Sequence, residues 1–178
     1  MAKAREISDI HQGVPYATAA ARVVALRADE VVEHAGGVLD VSEIERLHDM
    51  RVATRRLRAA LEVFRPCFPR DEFKATLREV KGIADALGER RDRDVTIAAL
   101  EDFGEVLAAP DRPGIESLVA KLRTEQEEAN DGLAGFVDRA RLEALRLRVD
   151  ELVAAAEELG GVPETPSSNG ADPVERAG

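Results

Sequence analysis

The chain has 178 residues, enough for one domain with a real core, and its hydrophobic 44% is dominated by Ala, Leu and Val, with 3% aromatics and no Trp, which favours helices over sheet. A net charge of −10 keeps such a chain off DNA and membranes in general, so an anionic partner has to be admitted to one confined basic site. The single Cys67 excludes an intrachain disulfide, no apolar signal segment opens the chain, and no run approaches the roughly 20 apolar residues of a membrane span; the chain reads as cytoplasmic and not membrane-bound.

Periodicity predicts an all-α fold, an antiparallel bundle of about five to six helices. It occupies residues 15–160, between a flexible segment at 1–14 and a disordered tail at 161–178. The first helix runs from about Pro15 to His34, where Gly36 and Gly37 close it. Ser42 with Glu45 forms a capping-box pattern for a second helix that ends near Arg65, before Pro66-Cys67-Phe68-Pro69. Asp71 opens a third, with Phe73, Leu77, Val80, Ile83, Ala84 and Leu87 as its packing face. Gly88 marks a break before a fourth segment at about 92–103. After the loop carrying Pro110, Pro113 and Gly114 come one long or two shorter helices, roughly 115–138 and 140–159.

The second helix carries the most informative pattern. Residues 46–58 hold five arginines against one acid, Asp49. At about 100° per residue, His48, Arg51, Arg55 and Arg58 share an arc of roughly 80°, beside an apolar face of Leu47, Met50, Leu57, Leu61 and Phe64. Surface arginines commonly pair with acids three or four residues away. Arg51 has Leu47, His48, Thr54 and Arg55 at those positions, Arg55 has Arg51, Val52, Arg58 and Ala59, and only Arg58 finds an acid, Glu62. The C-terminal half shows the self-neutralised alternative: Lys121 with Glu125, Arg123 with Glu127, Arg139 with Glu143 and Arg146 with Asp150. The stripe either meets acids from another helix or waits for an anion.

On the third helix Lys74, Arg78 and Lys81 share an arc of about 60°, and the short connection from the second helix lets both basic rows border one groove. Lys74 has Asp71 and Lys81 has Asp85 within reach; Arg78 has no same-helix acid. The charged run Leu87-Gly88-Glu89-Arg90-Arg91-Asp92-Arg93-Asp94-Val95 follows. There Asp94 can pair with Arg91, Glu89 with Arg93, and Asp92 can cap the fourth helix; alternatively Asp92 or Asp94 orients a stripe arginine.

His48 to Pro66 (HDMRVATRRLRAALEVFRP) followed by Leu87 to Val95 (LGERRDRDV) resembles the CHAD domain, the "conserved histidine α-helical domain", and the pattern extends over roughly residues 15–159. The resemblance implies an all-helical fold that binds inorganic polyphosphate through a basic surface. His48, Arg51, Arg55, Arg56 and Arg58 match the signature histidine and basic positions, and Lys81 and Arg91 are further contacts. Two departures stand out. The family usually comprises two similar halves, each with a His- and Arg/Lys-bearing helix, whereas this chain carries one and looks like a half-domain; no Glu-x-Glu-x-Lys signature of an attached triphosphate tunnel domain occurs either.

The expected function is therefore non-catalytic polyphosphate binding, for recruitment to polyphosphate or its granules, by His48, Arg51, Arg55, Arg56, Arg58, Lys74, Arg78, Lys81 and Arg91. No catalytic residue, metal site or cofactor is expected. The alternative is binding of a nucleic-acid backbone by the same stripe, opposed by the acidity and the scarcity of aromatics for base stacking. A phosphohydrolase using His48, with metal on Asp92 or Asp94, ranks last because no phosphate loop or carboxylate cluster at ligand spacing accompanies them. A homodimer that restores the second half is expected, with the Ala- and Leu-rich helix at 140–159 as its surface.

Overall fold

The computed structural model describes residues 3–8 and 10–160, the side chains of 159 and 160 excepted; the tail expected over 161–178 lies outside the described residues. Five helices follow in chain order: α1 (Tyr16–Glu33), α2 (Ile44–Val63), α3 (Arg70–Val106), α4 (Arg112–Val137) and α5 (Arg139–Gly160). Single 3-10 turns sit at Arg65–Cys67 and Ala109–Asp111, and no strand occurs among the described residues. The chain is an all-α bundle in which α1 packs on α2 and α5, α2 on α3, and α3 on α4.

Each helix contributes the apolar side that its spacing dictates. Ala20, Val24, Ala28 and Val31 of α1 are buried, as are Leu47, Met50, Leu57 and Leu61 of α2 and Phe73, Val80, Ile83 and Leu87 of α3. Burying side chains of the Leu, Ile or Phe class contributes about 1.5–3 kcal/mol apiece. α2 ends where Pro66 and Pro69 flank the 3-10 turn, and α1 ends before Gly37, whose φ of 75° suits a residue without Cβ. Before α1, the Arg5 amide donates to Glu30 Oε1 at 2.6 Å and its guanidinium meets Glu33 at 2.8 Å, which ties this segment to the first helix.

Two local expectations are corrected, the Ser42 cap and the break at Gly88. Ser42 does not cap α2: its amide and hydroxyl both donate to Asp40 Oδ1, at 2.9 and 2.7 Å, and the N-cap falls on Glu43. The Asp40 carboxylate closes its own turn and takes the hydroxyl, and these two bonds hold its pKa below the usual carboxylate value, with a smaller contribution from Arg46. On helix 140–159, Leu142, Leu145, Val149, Leu152 and Ala156 are buried in the core, where α5 lies against α1, and Leu147 is left exposed.

Gly88 does not break the third helix. α3 runs 37 residues, about 55 Å, straight through it. A helical Gly costs only about 1 kcal/mol relative to Ala, and continuity keeps Leu87, Arg90, Asp94 and Ile97, all buried, on one side of a single rod.

Two of the α3 glycines, Gly82 and Gly88, separate cleanly. A Cβ at Gly88 meets nothing within 4 Å, whereas one at Gly82 lies 3.0 Å from Phe136 Cε1. Gly88→Ala is expected to stabilise the fold by about 0.5–1 kcal/mol, and Gly82→Ala to gain less or lose. Urea unfolding midpoints at unchanged slope provide the check.

Candidate anion-binding groove

Because Leu47, Met50, Leu57 and Leu61 hold one side of α2 in the core, the arginines between them are turned to the α2–α3 boundary. A groove of about 480 Å³ opens there. Arg51, Arg55 and Arg58 line it from α2; Ala84, Asp85, Gly88, Glu89, Asp92 and Arg93 line it from α3. The small Ala84 and Gly88 leave room between the charged walls. Thr54, which lies between the first two arginines in sequence, is buried and donates to the Met50 carbonyl at 2.9 Å.

Arg51 and Arg55 form no hydrogen bond or ion pair with any described residue. Arg58 pairs with Glu62 at 3.3 Å, as its spacing predicts. Arg93 reaches Glu89 at 3.7 Å and Glu125 at 4.0 Å. Cations elsewhere are paired as well: Arg139 meets Glu143 at 2.7 Å, Lys121 meets Glu125 at 3.9 Å, and Arg146 joins Asp29 at 2.6 Å as well as Asp150. Arg123 pairs across helices with Glu101 at 2.5 Å rather than with Glu127.

The remaining sequence candidates distribute unevenly. His48 and Arg56 are half-buried on α2 and do not line the groove. Lys74, Arg78 and Lys81 are exposed, free of ion pairs to described residues, and lie on α3 N-terminal to Asp85. Arg91 stands apart from the groove, with its Nη1 buried and without a hydrogen-bond partner.

The groove also contains residues that the sequence reading missed. Positions 74, 78, 81, 85, 88 and 92 alternate steps of four and three, so on one continuous helix they form a single face. That face is basic through Lys81 and acidic from Asp85 onward. A supposed break at Gly88 hid it, since residues beyond a break have no fixed angular relation to those before it.

Asp92 therefore sits inside α3 and lines the groove instead of capping a helix. Asp94 faces the other way: its Oδ2 accepts from Arg90 Nη1 at 3.1 Å and its Oδ1 from Gln126 Nε2 on α4 at 2.6 Å, so Arg90 rather than Arg91 is its partner. Both side chains of the Arg90–Asp94 pair are fully buried. Burial pulls the Arg90 guanidinium below its ordinary pKa, and the Asp94 charge opposes that pull. Arg90 Nε and Nη2 remain without protein partners.

Among the described residues, no three His, Cys, Asp or Glu side chains gather as a metal site, and no helix is long and apolar enough to cross a membrane. The family model described as the CHAD domain matches residues 22–177. No curated protein matches the chain.

Asp94→Ala leaves a buried guanidinium without its counter-charge and is expected to cost about 3–5 kcal/mol in urea unfolding. Asp94→Asn, which can still accept from Gln126, is expected to cost less. Anion affinity per folded molecule is expected to stay unchanged in both, because neither atom of the pair faces the groove.

Proposed function

The chain belongs to the CHAD domain family, a polyphosphate-binding family, and from that membership together with the arginine wall of the groove we propose that it binds inorganic polyphosphate without transforming it. The observation that carries this reading is the pair Arg51 and Arg55, which line the groove without a partner among the described residues. Guanidinium groups grip phosphate oxygens bidentately, and a row one helical turn apart suits a repeating phosphate chain. Arg58 extends the wall, and the exposed Lys74, Arg78 and Lys81 continue the positive surface along α3. His48, Arg56 and Arg91 contribute from outside the groove, His48 as a hydrogen-bond donor. The function is recruitment to polyphosphate or its granules in the cytoplasm.

Arg51→Ala and Arg55→Ala are each expected to weaken polyphosphate binding by about 1.5–3 kcal/mol with helicity retained. Retention on immobilised polyphosphate, together with far-ultraviolet circular dichroism, checks this. Affinity is expected to fall steeply with salt as condensed counterions are released. Normal binding by both variants, or equal preference for RNA or duplex DNA at equal phosphate concentration, would overturn the assignment.

The same reading carries a homodimer. One His/Arg helix lies within these 178 residues, and a twofold axis sets a second copy of it beside the first with a single self-complementary surface. Since empty stripes facing each other repel, a polyphosphate bridging both is expected to tighten the dimer. Light scattering with and without polyphosphate tests this; a strict monomer in both conditions that still binds tightly would overturn it.

A further inference from the structure

Opposite charges share the α2–α3 groove without meeting. Arg51, Arg55 and Arg58 stand on one wall and Asp85, Glu89 and Asp92 on the other, yet none of these carboxylates is ion-paired to a stripe arginine. Packed helix axes lie about 8–10 Å apart, which is about one Debye length at physiological salt, so the fields of the two walls overlap even where side chains do not touch. Arg93 adds one cation, but it is already held by Glu89 and Glu125. This end of the groove is close to electrically balanced.

The other end is not. One turn before Asp85, about 6 Å along the helix, the same face of α3 carries Lys81, then Arg78 and Lys74, all exposed. In the antiparallel α2–α3 pair, Arg58 is the stripe residue nearest to them, with Arg55 and Arg51 following towards the acidic end. The positive surface is thus polar along its length, with a strong end at Lys74–Arg78–Lys81 and a masked end at Arg55–Arg51, Arg58 between them being held by Glu62.

Resting on the polyphosphate reading above, we infer that Asp85, Glu89 and Asp92 are specificity-determining counter-charges that mask Arg51 and Arg55. A phosphate chain anchors first at the strong end and engages the masked arginines only when it is long enough to extend past Lys81 and compete with the three carboxylates. Short phosphates are held by the strong end alone. The acids consequently set how much affinity each added phosphate contributes, and their removal changes the response to long chains without changing the anchor.

The test compares tripolyphosphate with long-chain polyphosphate on the full chain by isothermal calorimetry. Asp85→Asn/Asp92→Asn is expected to raise long-chain affinity about three- to tenfold, with tripolyphosphate changed by no more than about twofold. In that background Arg51→Ala/Arg55→Ala is expected to cost more than in the wild type, the non-additivity of a coupled network. Arg78→Ala/Lys81→Ala is expected to weaken both ligands. Glu151→Gln/Glu157→Gln on α5, which changes net charge equally but lies away from the groove, is expected to leave both affinities unchanged; unfolding midpoints establish that every variant is folded. Unchanged or weakened long-chain binding in the acid variant overturns the inference, as does an equal gain for both ligands. Failure of the wild type to bind either ligand overturns the polyphosphate reading and the inference with it, whereas normal wild-type binding with no response to the acid variant overturns the inference alone.

Discussion

Continuity of α3 is the constraint on which the groove depends. Two charges buried one turn apart on that helix, Arg90 and Asp94, are bonded to each other, and Asp94 is bonded again to Gln126 of α4. A buried pair of this kind adds little net stability, because desolvation offsets most of the attraction. What it does is tie α3 to α4 through Gln126, while buried Leu87 and Ile97 on the same side keep the helix one continuous rod. The face that carries Lys74 through Asp92 is therefore one rigid ruler, and α2 lies along part of it.

The arginine stripe gains its meaning from two kinds of packing. Its apolar neighbours on α2 are locked into the core, so the arginines cannot rotate away from the α2–α3 boundary. Its polar neighbours are few: Thr54 satisfies its hydroxyl on its own helix, and Arg58 shares Glu62. The rest of the surface is different, with cations of α4 and α5 held by acids on their own helices or across to α1 and α3. A domain that is acidic overall can in this way hold a positive site, because most of its other cations are neutralised locally.

A phosphate polymer is bound by many weak, equivalent contacts, and the value of each contact depends on the charge around it. A groove of uniformly positive walls would respond to any polyanion. One that sets carboxylates across from its arginines at one end, without pairing them, would tie affinity to how far the ligand extends. The small residues Ala84 and Gly88 leave width in the groove, and the cost of a glycine inside a long helix is the modest penalty of an exposed backbone.

Much of this was legible in the amino-acid sequence. The helical class, the packing faces of α2 and α3, and the unmatched state of Arg51 and Arg55 on their own helix all follow from residue spacing, because i to i+4 relations are intrinsic to a helix and need no tertiary information. Pairs such as Arg58 with Glu62 and Arg139 with Glu143 were readable for the same reason. The boundary at Gly88 was not, since a glycine's penalty is small enough for tertiary packing to override, and buried Leu87, Arg90, Asp94 and Ile97 override it here. Ser42 was likewise claimed by Asp40, a competition that the capping pattern alone does not reveal. Only the tertiary structure set Asp85, Glu89 and Asp92 across from the stripe and turned Asp94 towards Gln126, because which charges face each other between helices depends on crossing and register, which are decided by how whole faces pack.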